Sequence, residues 1–359
     1  MVTVFNNPEV AVQSWYVIAL SREVRPGQVV SREFLDRSVA VYRTASGRAF
    51  ALEGRCAHLG ADLGQGTVVG EALRCAFHHW TYAEDGRCVR IPYMERIPGF
   101  AKTFAYPTME KYGAVWIFNG PKPSFPIPNF PGSDDGELLS FPLRPQMLNC
   151  HPHVVTCNGL DIQHFKTVHG LAFAKEPTVD ALDAFRIQIK FEIQLSGDNV
   201  FDKSLRLLAG ETLSTSFTTW GGNMATITGQ AGPVPLLVLF THRPLSGGRS
   251  ASQTFFFVPR QHGLSRLFRL DAILVSLSKL IMAYILLGDR KIFDTIRFRP
   301  HLVEADRPLA AFIQQVNNMA TFDPSSCSEL CEASTGKEPP KAGSMIEEGA
   351  AWKISGTSY

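Results

Sequence analysis

Two stretches decide this chain: Cys56-Ala57-His58-Leu59-Gly60-Ala61-Asp62-Leu63 and, after sixteen intervening residues counted from His58, Cys75-Ala76-Phe77-His78-His79-Trp80. Each loop carries one thiol and one imidazole. Two thiolates and two imidazoles in such an array suit a [2Fe–2S] centre in which the cysteines hold one iron and the histidines the other. Zinc also takes two Cys and two His. Common zinc fingers, however, group two cysteines and then two histidines, whereas here each loop holds one of each.

A mixed-ligand centre of this Rieske kind has a higher potential than an all-cysteine cluster, because two anionic thiolates are replaced by neutral imidazoles. It accepts one electron and passes it to something oxidising. An acceptor is therefore expected, either in this chain or in a partner.

The bulk composition narrows the class. The chain has 359 residues, 45% apolar and 19% charged, which describes a globular protein of one large or two modest domains. A net charge of +2 excludes the electrostatic footprint of a nucleic-acid binder. The seven cysteines include Cys88, Cys150, Cys157, Cys327 and Cys331 besides the two ligand candidates. Odd in number and scattered, they point to a reducing compartment, and the cytoplasm is expected. The start, Met1-Val2-Thr3-Val4-Phe5-Asn6, lacks the basic and apolar blocks of a signal peptide. The most apolar stretch, Ala272 to Leu287, is interrupted by Ser276, Ser278 and Lys279 and predicts a buried or amphipathic helix, with no membrane span.

The N-terminal third reads as all-β. Val39-Ala40-Val41-Tyr42 and Ala114-Val115-Trp116-Ile117-Phe118 are short strand runs, and Asp85-Gly86 is a hairpin signal between Trp80-Thr81-Tyr82 and Cys88-Val89-Arg90-Ile91. The segment from Gly120-Pro121 through Pro131-Gly132 is a proline-rich connector that neither pairs as a central strand nor continues a helix. It divides the chain into residues 1–120, 121–322 and a polar tail, 323–359. Within the second part, Asn158 to His169 reads as helix, residues 185–260 alternate in β fashion, and residues 270–320 return to helical periodicity.

A second constellation lies in the predicted helix: Asp161-x-x-His164-x-x-x-x-His169. Two imidazoles and one carboxylate that leave open positions make the facial triad of O₂-activating iron(II) enzymes. Asp161 and His164 share a helical face, but His164 and His169 stand about 140° apart on an ideal helix, so a shared metal requires the helix to distort. Asp161 is placed to orient His164 through its free ring nitrogen. The carboxylate ligand comes from elsewhere, with Asp289, Asp294, Glu304 and Asp306 as candidates. Physical reasoning leaves Asp289 and Asp294 equally eligible.

With both constellations in order, the chain resembles the Rieske non-heme iron oxygenases, catalytic (alpha-type) subunits, over about residues 12–310. Ser14-Trp15-Tyr16-Val17, His78-His79-Trp80 and Asp289-Arg290-Lys291-Ile292-Phe293 look like the monooxygenase/demethylase branch, aminopyrrolnitrin oxygenase-like. Two positions depart from it: Gly288 stands where many members carry an acidic residue or Gln, and His79 where many carry Gly.

The resemblance implies an α+β fold. An N-terminal all-β Rieske domain precedes a helix-grip-like (START-type) catalytic domain with an antiparallel sheet and C-terminal helices. It implies cluster ligands Cys56, His58, Cys75 and His78, and iron ligands His164, His169 and Asp289. It also implies a homotrimer in which Asp161 bridges His78 of one subunit and His164 of the next. The expected activity is that of a terminal oxygenase that hydroxylates or demethylates an apolar or aromatic small molecule. O₂ is the co-substrate, and electrons come from NAD(P)H through a separate reductase or ferredoxin. The alternatives are an electron carrier without its own oxygenation, and a same-iron enzyme of N-oxidation, desaturation or oxidative cyclisation.

Among other residues, His151 and His153 alternate as on a strand, with core or surface roles expected. Cys157 and Asn158 are candidates to line the cavity. Phe255-Phe256-Phe257 reads as core, and Arg297, Arg299 and Arg307 as a solvated face.

Overall fold

The computed structural model describes residues 3–130, 136–195, 200–260, 270–285 and 289–324. Pro131, Gly132, Gly288, Cys327, Cys331 and the tail beyond residue 324 lie outside them.

Three small antiparallel sheets form the N-terminal part. In the first, β1 (Trp15–Leu20) pairs with β11 (Ala114–Phe118), which pairs with β10 (Thr108–Lys111). All five residues of β11 are buried, as expected of a central strand covered on both faces. The second runs in the order β2 (Val29–Phe34), β3 (Arg37–Arg43), β4 (Ala49–Glu53), β9 (Ala105–Tyr106). The third is a meander of β5 (Thr67–Val69), β6 (Ala72–Arg74), β7 (Thr81–Tyr82) and β8 (Cys88–Arg90). The Asp85-Gly86 turn joins β7 to β8, with Gly86 at φ +81°, a conformation that glycine adopts freely. A Cβ there would lie 2.0 Å from the Thr103 carbonyl oxygen, so glycine is also required by space.

The C-terminal part is built on one eight-stranded antiparallel sheet. Its order is β12 (Leu138–Pro142), β19 (Arg249–Pro259), β18 (Val234–Leu245), β17 (Met224–Ala231), β16 (Thr212–Trp220), β15 (Ile187–Gln194), β14 (Ala172–Ala181), with β13 (Gln146–Leu148) also on β19. The alternation that marks β15 is real: Ile187, Ile189, Phe191 and Ile193 are buried and the residues between them are not. Two features depart from the sequence expectation. Helix α3 (Val200–Ala209) interrupts the strand run, and β14 is an added edge strand whose mostly exposed residues show no two-residue apolar period.

The remaining helices are α1 (Pro152–Cys157), α2 (Ile162–Thr167), α4 (Leu270–Ile285), α5 (Asp289–Thr295) and α6 (Arg307–Asn317). His151 and His153 do not sit on a strand. His151 caps α1 by accepting from the His153 amide at 3.2 Å, and both rings are buried. Pro152 favours this start because proline fixes φ at the first helical position. Helix α4 buries Val275, Ile281 and Met282 beside the sheet and exposes Leu270, Ile273, Leu277 and Leu280. No described helix is long and apolar enough to cross a membrane.

The first small sheet packs on the large one. Trp15, Trp116 and Phe118 share a core with Trp220, Met224, Leu239, Phe255 and Phe257. Each such side chain contributes about 1.5–3 kcal/mol on burial. The Phe255-Phe257 run is therefore core, and it fixes one part of the chain against the other.

Candidate metal centres

The first ligand loop follows β4, and the second lies between β6 and β7, so two sheets hold the two halves of the centre. In the first loop Asp62 accepts from the Gly64 amide at 2.9 Å and starts a short 3₁₀ turn, Leu63–Gln65. Cys56 and Cys75 are buried, whereas His58 and His78 are exposed. The His58 and His78 Nδ1 atoms converge to 3.1 Å. Two thiols inside and two converging imidazoles outside match a cluster with one buried and one outward iron.

Surrounding contacts hold this geometry. The His58 ring stacks on Trp80 at 4.7 Å between centroids and 3° between planes. The Tyr82 hydroxyl lies 3.0 Å from the Cys56 sulfur and accepts from the Ala57 amide at 3.1 Å. Burial pushes the Cys56 thiol up, and the Tyr82 hydroxyl partly offsets that push. His79 adopts φ +60°, a left-handed conformation that suits glycine. Sequence reasoning missed Tyr82 as a neighbour of the centre. Its signal was position, since the strand after a ligand loop returns beneath that loop.

The second constellation converges as well. His164 Nε2 lies 2.9 Å from His169 Nε2, and Asp289 Oδ1 lies 3.1 Å from the first and 3.0 Å from the second. The chain around the histidines explains how. Asn158–Leu160 is a 3₁₀ turn, Asp161 is extended, and α2 spans only six residues, Ile162 to Thr167. His169 lies beyond the helix end, before Gly170 at φ +64°, and so escapes the 140° separation of an ideal helix. Asp289 is the first residue of α5 and is buried. Asp294, at the other end of that helix, faces Arg290 at 3.8 Å.

The donor set fits a metal ion. Facial ligands of an octahedral ion at about 2.1 Å stand about 3.0 Å apart, and tetrahedral ones about 3.4 Å. The observed triangle has the octahedral size. Asp289 Oδ1 is buried with no hydrogen-bond partner, an orphan that a cation in the triangle would satisfy. Burial pushes its carboxyl up, but the His164 and His169 imidazoles outweigh this and hold it below the ordinary range.

Around the triangle, Asn158 Nδ2 stands 3.0 Å from His164 Nε2, beside the donor atoms. Cys157 turns away into the core and donates to the Val154 carbonyl at 3.3 Å. Asp161 is placed differently from the expectation. Its Oδ1 accepts from the His164 backbone amide at 2.9 Å, capping α2, and no hydrogen bond to the His164 ring is found among the described residues. Arg307 faces Glu304, and Arg297 donates to the neighbouring Ile296 carbonyl.

Phe165, whose ring lies 5.9 Å from each imidazole centroid, opens onto an apolar slot of 40 Å³. Phe173, Phe191, Phe217, Leu236 and Met282 line it with Thr215. Thr215 Oγ1 donates to the Thr228 carbonyl at 3.2 Å. A ligand here meets carbon almost throughout.

Comparison with known proteins agrees with this picture. Residues 14–104 match the Rieske [2Fe-2S] domain. The chain is similar to cholesterol 7-desaturase nvd 1 of Ciona intestinalis, 34% identical over 166 residues, 45% of this chain and 35% of that protein. It is similar to aminopyrrolnitrin oxygenase PrnD of Pseudomonas fluorescens, 33% identical over 168 residues, 44% of this chain and 46% of that protein. The matched region thus spans under half the length of these relatives. A solved oxygenase–ferredoxin complex of carbazole 1,9a-dioxygenase superposes with a TM-score of 0.65 at 18% identity, covering 87% of this chain and 90% of that one. The chain thus carries a Rieske [2Fe-2S] domain, and ahead of its large antiparallel sheet and helices that domain completes a fold shared with the solved carbazole 1,9a-dioxygenase complex.

Proposed function

We propose that this chain is a terminal oxygenase that oxidises an apolar or aromatic small molecule by hydroxylation or demethylation. Cys56, His58, Cys75 and His78 hold a [2Fe–2S] cluster, and His164, His169 and Asp289 hold a mononuclear iron(II). The observation that carries the reading is the 3 Å triangle of His164, His169 and Asp289, with Phe165 standing between it and a carbon-lined slot, in a chain that also carries a Rieske domain. When bound, the cluster stores single electrons and the iron activates O₂.

The residues perform the rest. Phe165, Phe173, Phe191 and Phe217 form an apolar wall that keeps water from this side of the triangle and gives an apolar substrate a surface to approach. The slot contains no charged side chain, which favours an uncharged substrate. Asp161 Oδ1 is committed to the His164 amide, and Oδ2 is the atom left to accept from imidazole N–H groups. No hydrogen bond among the described residues joins Asp161 to His58 or His78 of its own chain. Both cluster imidazoles are exposed, which supports a homotrimer in which one protomer's cluster faces its neighbour's Asp161. We assign electron supply to NAD(P)H through a separate reductase or ferredoxin. The free buried thiols of Cys88, Cys150 and Cys157 support a cytoplasmic setting. The division into 1–120, 121–322 and 323–359 follows the linker.

Desaturation by the same iron is the second reading, favoured by the similarity to a protein named as a cholesterol desaturase. A pure electron carrier is disfavoured by the triangle. Anaerobically loaded protein, supplied with a ferredoxin and reductase, is tested against apolar polycyclic substrates under ¹⁸O₂. Labelled product supports oxygenation, an unlabelled alkene supports desaturation, and two irons per chain with no product supports the carrier.

A further inference from the structure

We propose that the cavity between β1 and the Arg243/Gln253 face of the large sheet binds a small oxyanion that keeps a hydroxyl, of the hydrogen-phosphate class. The cavity has a volume of 220 Å³. It is walled by Val17–Leu20 of β1, by Glu23 and Arg32, and by Pro145, Arg243 and Gln253. It thus lies between the cluster-bearing part of the chain and the large sheet.

Strand register sets its polar groups. Thr241 pairs with Gln253 and Arg243 with Ala251, so Arg243 and Gln253 are diagonal neighbours on one face of β18–β19. Arg243 Nη1 is buried and donates to nothing, and Arg243 makes no ion pair among the described residues. Gln253 is 3% exposed. Its Nε2 donates to the carbonyls of Leu143 at 2.7 Å and Thr254 at 3.1 Å, which fixes the amide orientation. Gln253 Oε1 is thereby left as a buried acceptor without a donor.

One cavity therefore holds a buried cationic donor lacking an acceptor and a buried acceptor lacking a donor. Native structures leave few such groups unpaired, and an unseen occupant is a usual reason. Arg32 is paired with Glu23 at 3.0 Å, whereas Arg243 has no carboxylate within ion-pair distance among the described residues and feels Glu33 and Glu23 only from further off. Burial, aided by the nearby Arg32 charge and opposed by the Glu33 and Glu23 carboxylates, lowers the Arg243 guanidinium to about 10. An oxyanion supplies acceptors to Arg243, and a hydroxyl on that same anion donates to Gln253 Oε1. Sulfate, which has no hydroxyl near neutral pH, meets only the first need. An anion seated there would tie β1 to the sheet and stabilise the fold by linkage.

The test titrates inorganic phosphate, with sulfate and chloride at matched ionic strength, into the iron-loaded full-length protein and follows heat of binding and thermal unfolding. Saturable phosphate binding with a raised melting temperature, at least tenfold tighter than sulfate, is expected. Arg243→Gln should weaken phosphate at least tenfold. If that variant does not fold, Arg243→Lys, which keeps charge but loses the planar fork, should weaken it severalfold. Absence of saturable phosphate binding, with water alone filling the cavity, overturns the proposal. So does equal stabilisation by phosphate and sulfate, or phosphate binding that survives both substitutions unchanged.

Discussion

His164 and His169 bring their Nε2 atoms to 2.9 Å although five residues separate them, because α2 stops at Thr167 and His169 leaves the helical path. A continuous helix would hold these rings about 140° apart. The short helix is the device that makes the pair a chelate. It depends on the extended backbone of Asp161 at one end and Gly170 at the other.

Removing the third corner tests the centre. Asp289→Ala should lose the mononuclear iron and reduce turnover to background. The cluster's absorption and reduced-state EPR spectrum should stay unchanged. Iron analysis on anaerobically prepared protein should fall from three to two per chain. Asp294→Ala should change neither, since its carboxylate faces Arg290.

The two duties assigned to Asp161 separate by substitution. Asp161→Asn keeps an oxygen for the His164 amide, so the cap and the melting temperature should persist while coupled turnover stops. Asp161→Ala should also lose about 1 kcal/mol with the cap. Both variants should retain both metals. Near-normal turnover in Asp161→Asn would refute the relay.

Tyr82 lies 3.0 Å from the Cys56 sulfur. A hydrogen bond to a cluster ligand stabilises the reduced, more negative state. Tyr82→Phe should therefore lower the reduction potential without loss of iron, and protein-film voltammetry reads the shift directly. An unchanged potential would show that the hydroxyl points its proton elsewhere.

Buried neutral histidines set the acid limit of stability. Burial lowers His242 to about 3 and His151 to about 4, although the Asn7 carbonyl opposes the second shift. The unfolded chain protonates both near the ordinary histidine value. The fold therefore loses stability as pH falls below about 6.5, by about 2 kcal/mol per histidine at pH 5. His153 is buried and lowered in the same way, so denaturant melts at pH 7.5 and 5 should show the loss from three histidines, and His242→Gln should reduce it by about a third.

The cluster loops were legible in the sequence because their chemistry is local: two donors within four residues, repeated once, already describe half a centre each. The β character of the N-terminal third and the alternation of β15 were legible for the same reason, since side-chain period follows directly from backbone geometry. Helix α3 does carry a helical apolar spacing, which the surrounding strand-like run masked. The edge strand β14 and the helical setting of His151 and His153 were not legible, because no apolar period marks them.

The triangle lay beyond sequence alone for a different reason. Asp289 and Asp294 sit on one short helix with similar neighbours, and only the packing of that helix turns one inward and leaves the other beside Arg290. The same holds for Asp161, whose spacing pointed to the His164 ring while the folded backbone gives its Oδ1 to the amide. Residue identity and short-range spacing determined which chemistries this chain can support. Contacts between residues more than a hundred positions apart decided which side chains carry them out, because a metal site needs its donors aimed at one point and only the closed core supplies that aim.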